Sequence, residues 1–150
     1  MTGTETTSTQ DLTEQAARLR LAVNRMARRL RQEANTQLGP ASIAALATIE
    51  RSGPLTPSEV ARVEGIQRPT ATRILSRLTG AGLVSRTTDP SDGRSSIVQI
   101  TADGRKTLNR LRKRKTAYLA RTMRALPDDD VATLTRAAEI LEQVLEEGRR

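Results

Sequence analysis

A mainly α-helical chain with one small β-hairpin is predicted by three observations. Apolar residues return every third or fourth position through most of the 150 residues, the period of a helix buried on one side. The interior must be built from Leu, Ile, Val, Met and Ala, because the chain has one Tyr and no Phe or Trp, and such a core suits packed helices. Two short runs, "LVSRTT" and "SSIVQI", break the helical period and flank the loop "TDPSDGRSS", whose Asp-Pro and Asp-Gly pairs supply turn chemistry.

The opening "MTGTETTSTQ" is Thr-rich and uncommitted, so residues 1–10 are expected to be a disordered tail. From Asp11, the residues Leu12, Ala16, Leu19, Val23, Met26 and Leu30 step by four and three, forming a heptad seam on a helix that Gly39-Pro40 ends. Five arginines lie between these apolar positions and a sixth, Arg31, follows them, so the helix must place its stripe against other helices or another subunit. The next segment, "ASIAALATIERS", is a small-residue apolar helix expected to be deeply buried and closed by Gly53-Pro54. In "LTPSEVARVEG", Thr56 can cap, Pro57 suits the first helical position, Glu59 completes a capping box, and Leu55 with Val60 can form a hydrophobic staple. Gly65 can turn left-handed and stop that helix after about two turns.

Only Ile66 and Gln67 then precede "RPTATRILSRLTGAG", which is the spacing of a helix-turn-helix. On a helical wheel Ala71, Ile74, Leu75 and Leu78 share one face; Pro69, Arg73 and Ser76 centre the other, with Thr70, Thr72 and Arg77 on its flanks. No acid occurs between Ile66 and Thr88. Gly82 ends the helix and the hairpin follows. Thr101 can cap a long basic helix from Ala102, with Leu108, Leu111, Tyr118, Leu119 and Met123 near one side. Pro127 and Asp128, Asp129 and Asp130 mark a last helix, favoured by the helix dipole, in which Val131, Leu134, Ala138, Leu141 and Leu145 again step by three and four. A helix-turn-helix followed directly by a hairpin is a winged helix.

The formal charge of +8 and pI near 11.2 favour a polyanionic partner, nucleic acid first. The absence of Cys removes thiol nucleophiles and redox sensing, and the absence of His removes the commonest general base and metal ligand. No acidic pair accompanies a recognisable nucleophile, a phosphate-binding Gly loop or a ligand cluster, so no enzyme, metal or cofactor is expected. No apolar run approaches the roughly 20 residues that span a bilayer, and no secretory segment opens the chain, so a cytoplasmic protein without a membrane partner is expected.

In a major groove Arg73 and Arg77 can fork onto guanine, and threonines can meet a thymine methyl. Arg94, at the hairpin tip, can enter a narrow and strongly negative minor groove, with Asp92 fixing the loop and the arginine's direction. Arg86 is expected to touch phosphate. The seven basic residues from Arg105 to Lys115 read as a solvated helix side, with phosphate contact or an anionic effector site as the functional alternatives.

The run "LTPSEVARVEGIQRPTATRILSRLTGAGLVSRTTDPSDGRSSIVQIT" resembles the winged-helix segment of the MarR family, the bacterial multiple-antibiotic-resistance regulators. The match lies in the helix pair, the "GLVSR" strand, the "DPSDGR" wing and the "ITADG" opening of the next helix, and the likeness extends over about Asp11 to Glu147. It implies a regulator that binds specific double-stranded DNA as a homodimer on a pseudo-palindrome, usually a repressor relieved by a small-molecule effector. It further implies that residues 11–38 and 102–150 form a helical dimerisation region containing Leu12, Leu19, Val23, Leu134, Leu141 and Leu145, and that 39–101 form the DNA-binding region, the two making one intertwined domain. By motif position Gln67, Arg68, Pro69, Thr70, Thr72, Arg73, Ser76 and Arg77 belong to the recognition helix, and Asp92 and Arg94 to the wing. Two departures are Gln67, where family members often have a capping Ser, and Pro127, where a capping Ser or Thr is commoner. The competing reading is a winged helix used as a protein-interaction module, which would show an apolar patch on its second helix or wing.

Overall fold

The computed structural model describes residues 9–88 and 96–149. Among them the order is α1 (Thr9–Ala34), α2 (Pro40–Ser52), α3 (Pro57–Glu64), α4 (Arg68–Gly80), β1 (Val84–Thr88), β2 (Ser96–Ile100), α5 (Ala102–Met123) and α6 (Asp128–Glu147). The two strands pair antiparallel, so the expected mainly α chain with a hairpin wing is what forms.

The small-residue sequence of α2 makes it the centre of the lobe, because Ala45, Leu46 and Ile49 let α3, α4, α5 and β2 approach it closely. Leu46, Ile49, Val60, Leu75, Leu78, Val98 and Leu108, each at most 2% exposed, meet there in one aliphatic core. Two polar residues of α2 are also buried, Ser42 and Thr48. The Thr48 hydroxyl donates to the Glu64 carboxylate, clasping α2 to α3, and Arg51 donates to the same hydroxyl at 3.3 Å. Leu108 of α5 belongs to this core and Leu111 is buried beside it, so lobe packing continues past residue 101 into the long helix.

Helix α1 differs from its expected span at both ends. It is already helical at Thr9, where the Thr13 hydroxyl donates to the Thr9 carbonyl at 2.9 Å, and it stops at Ala34 rather than at Gly39-Pro40. Asn35 takes φ 47°, a left-handed conformation that Asn tolerates better than most residues. From α5, Arg114 donates to the carbonyls of Ala34 at 3.0 Å and Asn35 at 3.4 Å, satisfying groups that a helix end leaves orphaned. The rest of the expected tail, residues 1–8, lies outside the described residues.

Further contacts join α5 to its neighbours. Arg112 reaches Glu50 of α2 through two bonds, at 2.9 and 3.3 Å. Arg29 of α1 donates to the Tyr118 hydroxyl at 3.2 Å and lies 5.2 Å from the ring centroid, while Arg121 lies 5.7 Å from it on α5. By contrast α6 buries none of its residues, and Leu134, Val144 and Leu145 are 46%, 58% and 67% exposed.

The start of α3 is capped as expected. The Thr56 hydroxyl accepts from the Glu59 backbone at 3.2 Å, and the Glu59 carboxylate accepts from the Thr56 backbone at 2.7 Å. Thr56→Ala is expected to lower stability by about 1 kcal/mol in urea unfolding. An unchanged midpoint would show that the flanking prolines hold this turn without the cap.

Candidate nucleic-acid interface

The turn between α3 and α4 is made by Gly65, at φ 63° and ψ 33°. Its N–H reaches the Ala61 and Arg62 carbonyls, and Ile66 N–H donates to Ala61 at 3.0 Å, so the chain reverses within three residues. A side chain at Gly65 would carry the cost of left-handed backbone. Gln67 then opens α4 with extended backbone and no side-chain cap, as its chemistry suggests, while Pro69 in the first turn supplies a pre-set φ.

The two faces of α4 divide as the wheel predicts. Ala71, Ile74, Leu75 and Leu78 are buried. Gln67, Arg68, Pro69, Thr72, Arg73, Ser76 and Arg77 are exposed, and Thr70 is half-buried at the margin. The two acids of α3 are engaged within the chain, Glu59 in its capping box and Glu64 with Thr48. Among the described residues, Arg68, Arg73, Arg77 and Arg86 make no ion pair. The outer face of α4 is therefore an uncompensated cationic surface carrying hydroxyls.

The wing stands beside it. Val84 pairs with Ile100 and Arg86 with Val98, and residues paired across strands share a face. Arg86 thus lies on the same face of the hairpin as Val84, Val98 and Ile100, yet it is exposed to solvent. Asp92 and Arg94, predicted for the wing tip, lie outside the described residues.

Leu55 does more than the hydrophobic staple its position predicts. It exchanges two backbone bonds with Val98, at 3.1 and 2.7 Å, and so adds a one-residue third strand to the wing. The extended segment Pro54-Leu55-Thr56-Pro57 is the signal for it, but the partner is some forty residues distant and no local pattern names it.

The wing root is tied to α5 by Thr101. Its N–H donates to the Leu83 carbonyl at 3.1 Å, and its hydroxyl donates to Gly82 at 2.6 Å and accepts from Gly104 at 3.0 Å. Gly104 is pressed against the same Leu83 carbonyl, where a Cβ would come within 2.3 Å.

The residues expected to pair subunits are not brought together within one chain. Leu12, Leu19 and Val23 are exposed on α1, Leu134 and Leu145 are exposed on α6, and Leu141 is half-buried. No helix among the described residues is long and apolar enough to cross a membrane.

The sequence model of the MarR family matches residues 38–96, from just before α2 to the first residue of β2. The multiple antibiotic resistance protein MarR of Salmonella typhimurium is 32% identical over 106 residues, covering 67% of this chain and 74% of that protein. The chain belongs to the MarR family. An uncharacterized HTH-type transcriptional regulator of Mycobacterium leprae is 29% identical to this MarR-family chain over 134 residues, covering 89% of it and 94% of that relative. Among solved structures, a transcriptional regulator protein from Pseudomonas aeruginosa is 32% identical with a TM-score of 0.82, over 92% of this chain and 97% of that one. A mutant of S. aureus MepR, solved bound to an oligodeoxyribonucleotide, shares the fold with a TM-score of 0.68 at 16% identity, over 87% and 96% of the two chains. The MarR-family chain is a DNA-binding transcriptional regulator.

Proposed function

We propose that this chain represses transcription as a homodimer, seating α4 of each subunit in successive major grooves of a pseudo-palindromic operator and releasing it when a small molecule binds. The observation that carries the reading is the outer face of α4, with three guanidinium groups and no acid facing them among the described residues. Recognition helices one helical turn apart, roughly 34–36 Å, would read two half-sites on one side of the duplex. The DNA-bound MepR neighbour supports the same use of the fold. Arg73 and Arg77 are assigned to base edges, Gln67, Arg68, Pro69, Thr70, Thr72 and Ser76 to the rest of the groove contact, Arg86 to phosphate, and Arg94, directed by Asp92, to the minor groove.

The exposed apolar residues of α1 and α6 support the dimer, since a single chain leaves both stripes in water. Residues 11–38 and 102–150 are accordingly proposed as the dimerisation region. For an effector, the cleft between α1 and α2 has an apolar floor of Ala27, Leu30, Pro40 and Ile43 rimmed by Arg31 and Lys115. That lining fits an apolar molecule bearing an acid group, which acts by preferring one separation of the lobes.

Selection of bound fragments from genomic DNA, together with light scattering at micromolar protein, tests the reading. A repeated two-half-site sequence and two chains per particle are expected; enrichment no better than random duplex would leave the protein-interaction alternative. On the selected operator Arg94→Ala is expected to lose about 1–3 kcal/mol of binding without dissociating the dimer. Undiminished affinity would take the wing arginine out of the interface.

A further inference from the structure

Helix α2 ends with most of its last carbonyls open. Gly53 N–H closes on the Ile49 carbonyl at 2.9 Å, but the donors that follow are engaged elsewhere. Pro54 has no N–H, Leu55 donates to Val98 at 3.1 Å, and Thr56 donates to the Glu59 carboxylate at 2.7 Å. None of these three closes on the Glu50, Arg51 or Ser52 carbonyl, so the negative end of the α2 dipole stays exposed to whatever lies beyond it.

A crevice of about 220 Å³ lies at this end of α2. Glu50, Gly53 and Pro54 wall it at the helix end, Gln99 and Arg105 wall it where β2 meets α5, and the buried Ile49 and Ile100 complete the lining. Arg105 belongs to the first turn of α5, the positive end of that helix. Glu50 and Arg105 thus share one space, yet they form no ion pair: Glu50 is bound by Arg112 at 2.9 Å, and Arg105 makes no ion pair among the described residues. Arg112 takes two of the roughly four acceptor positions of the carboxylate, which leaves the others available. The crevice therefore has a negative wall and a positive wall that do not neutralise each other.

We propose that this crevice binds a small amino acid, with its ammonium group against Glu50 and the open α2 carbonyls and its carboxylate on the Arg105 guanidinium, beside the Gln99 amide. A molecule of single charge would satisfy one wall and desolvate the other without a partner. The volume is roughly seven times the 30 Å³ that a water molecule takes in the liquid, enough for a compact zwitterion and too small for a drug-sized ligand. The site is separate from the effector cleft between α1 and α2, which is lined by Pro40 and Ile43 at the opposite end of α2, and it requires neither the dimer nor repression. It bears on the wing, because Pro54 precedes Leu55 and Gln99 follows Val98, the two residues whose backbone bonds add the third strand. A ligand joining α2 to β2 and α5 holds the wing root in place.

The test is calorimetric titration of the full chain with L-alanine, acetate and methylammonium, helix content of each variant being checked by circular dichroism. Alanine is expected to bind once per chain with a dissociation constant on the order of 1 mM, and the two singly charged probes at least about tenfold more weakly. Arg105→Gln and Glu50→Gln should each weaken alanine roughly tenfold or more. Arg112→Gln loosens the same tie between α2 and α5 but leaves Glu50 ionised, so binding should persist and a purely structural cause is separated. Amide exchange at Leu55 and Val98 should slow when alanine is added. Acetate binding as tightly as alanine would reduce the crevice to an anion site and overturn the proposal. Alanine affinity unchanged by Arg105→Gln, or lost with Lys115→Gln instead, would place the ligand elsewhere and overturn it too. So would the absence of both heat and any change in exchange at about 20 mM alanine, well above the expected constant.

Discussion

The double variant Arg73→Ala with Arg77→Ala is expected to lower affinity for the selected operator by about 2–6 kcal/mol, as two bidentate base contacts are lost. Stability should be nearly unchanged, because both side chains are exposed and neither is held by an acid among the described residues. The loss should fall mainly on operator DNA, flattening the ratio of specific to random binding. Titration of both duplexes at one fixed salt concentration measures this. Equal losses on operator and random DNA would reassign the two arginines to phosphate, which positions a protein on the duplex without reading it.

The second large effect concerns stability. Gly104 is in the first turn of α5, where replacing glycine normally stabilises a helix by about 0.5–1 kcal/mol. Here the sign should invert, because a Cβ would meet the Leu83 carbonyl at 2.3 Å and Ile100 Cγ1 at 2.7 Å. The obstacle is backbone that already accepts from Thr101, so it cannot yield without breaking the wing root. Gly104→Val is expected to cost about 3 kcal/mol in urea unfolding, near the upper end of overpacking penalties. Gly80 at the end of α4 is the control, since a Cβ there meets nothing within 4 Å and alanine should be tolerated. A Gly104→Val protein as stable as the parent would mean that α5 can tilt away from the wing without loss.

The lobe was legible in the sequence because its determinants are local. The Thr56–Glu59 box, the Gly65 turn and the alternation of Ala71, Ile74, Leu75 and Leu78 with Arg73 and Ser76 all act over one or two helical turns. What escaped depends on residues far apart. The end of α1 is set by Asn35 with Arg114, the third wing strand by Leu55 with Val98, and the clasp on α3 by Thr48 with Glu64. Each is a pairing that no spacing rule announces, and two use residues that read as helix surface or helix interior when taken alone. The basic run shows the same limit, since its sequence gives a charge and only the fold shows which members are already engaged. The polar face of α4 was identified fully, whereas the assignment of single side chains to bases or backbone depends on the duplex.

Tyr118 makes the protein unusual to observe. With no Trp or Phe in the chain, its near-ultraviolet absorbance and emission come from one phenol ring, and Arg29 and Arg121 both lie over that ring where α1 meets α5. A spectral change on adding duplex or a non-absorbing compound therefore reports motion at that helix crossing. Unlabelled fluorescence is in effect a gauge of whether events in the lobe are felt where the long helices join.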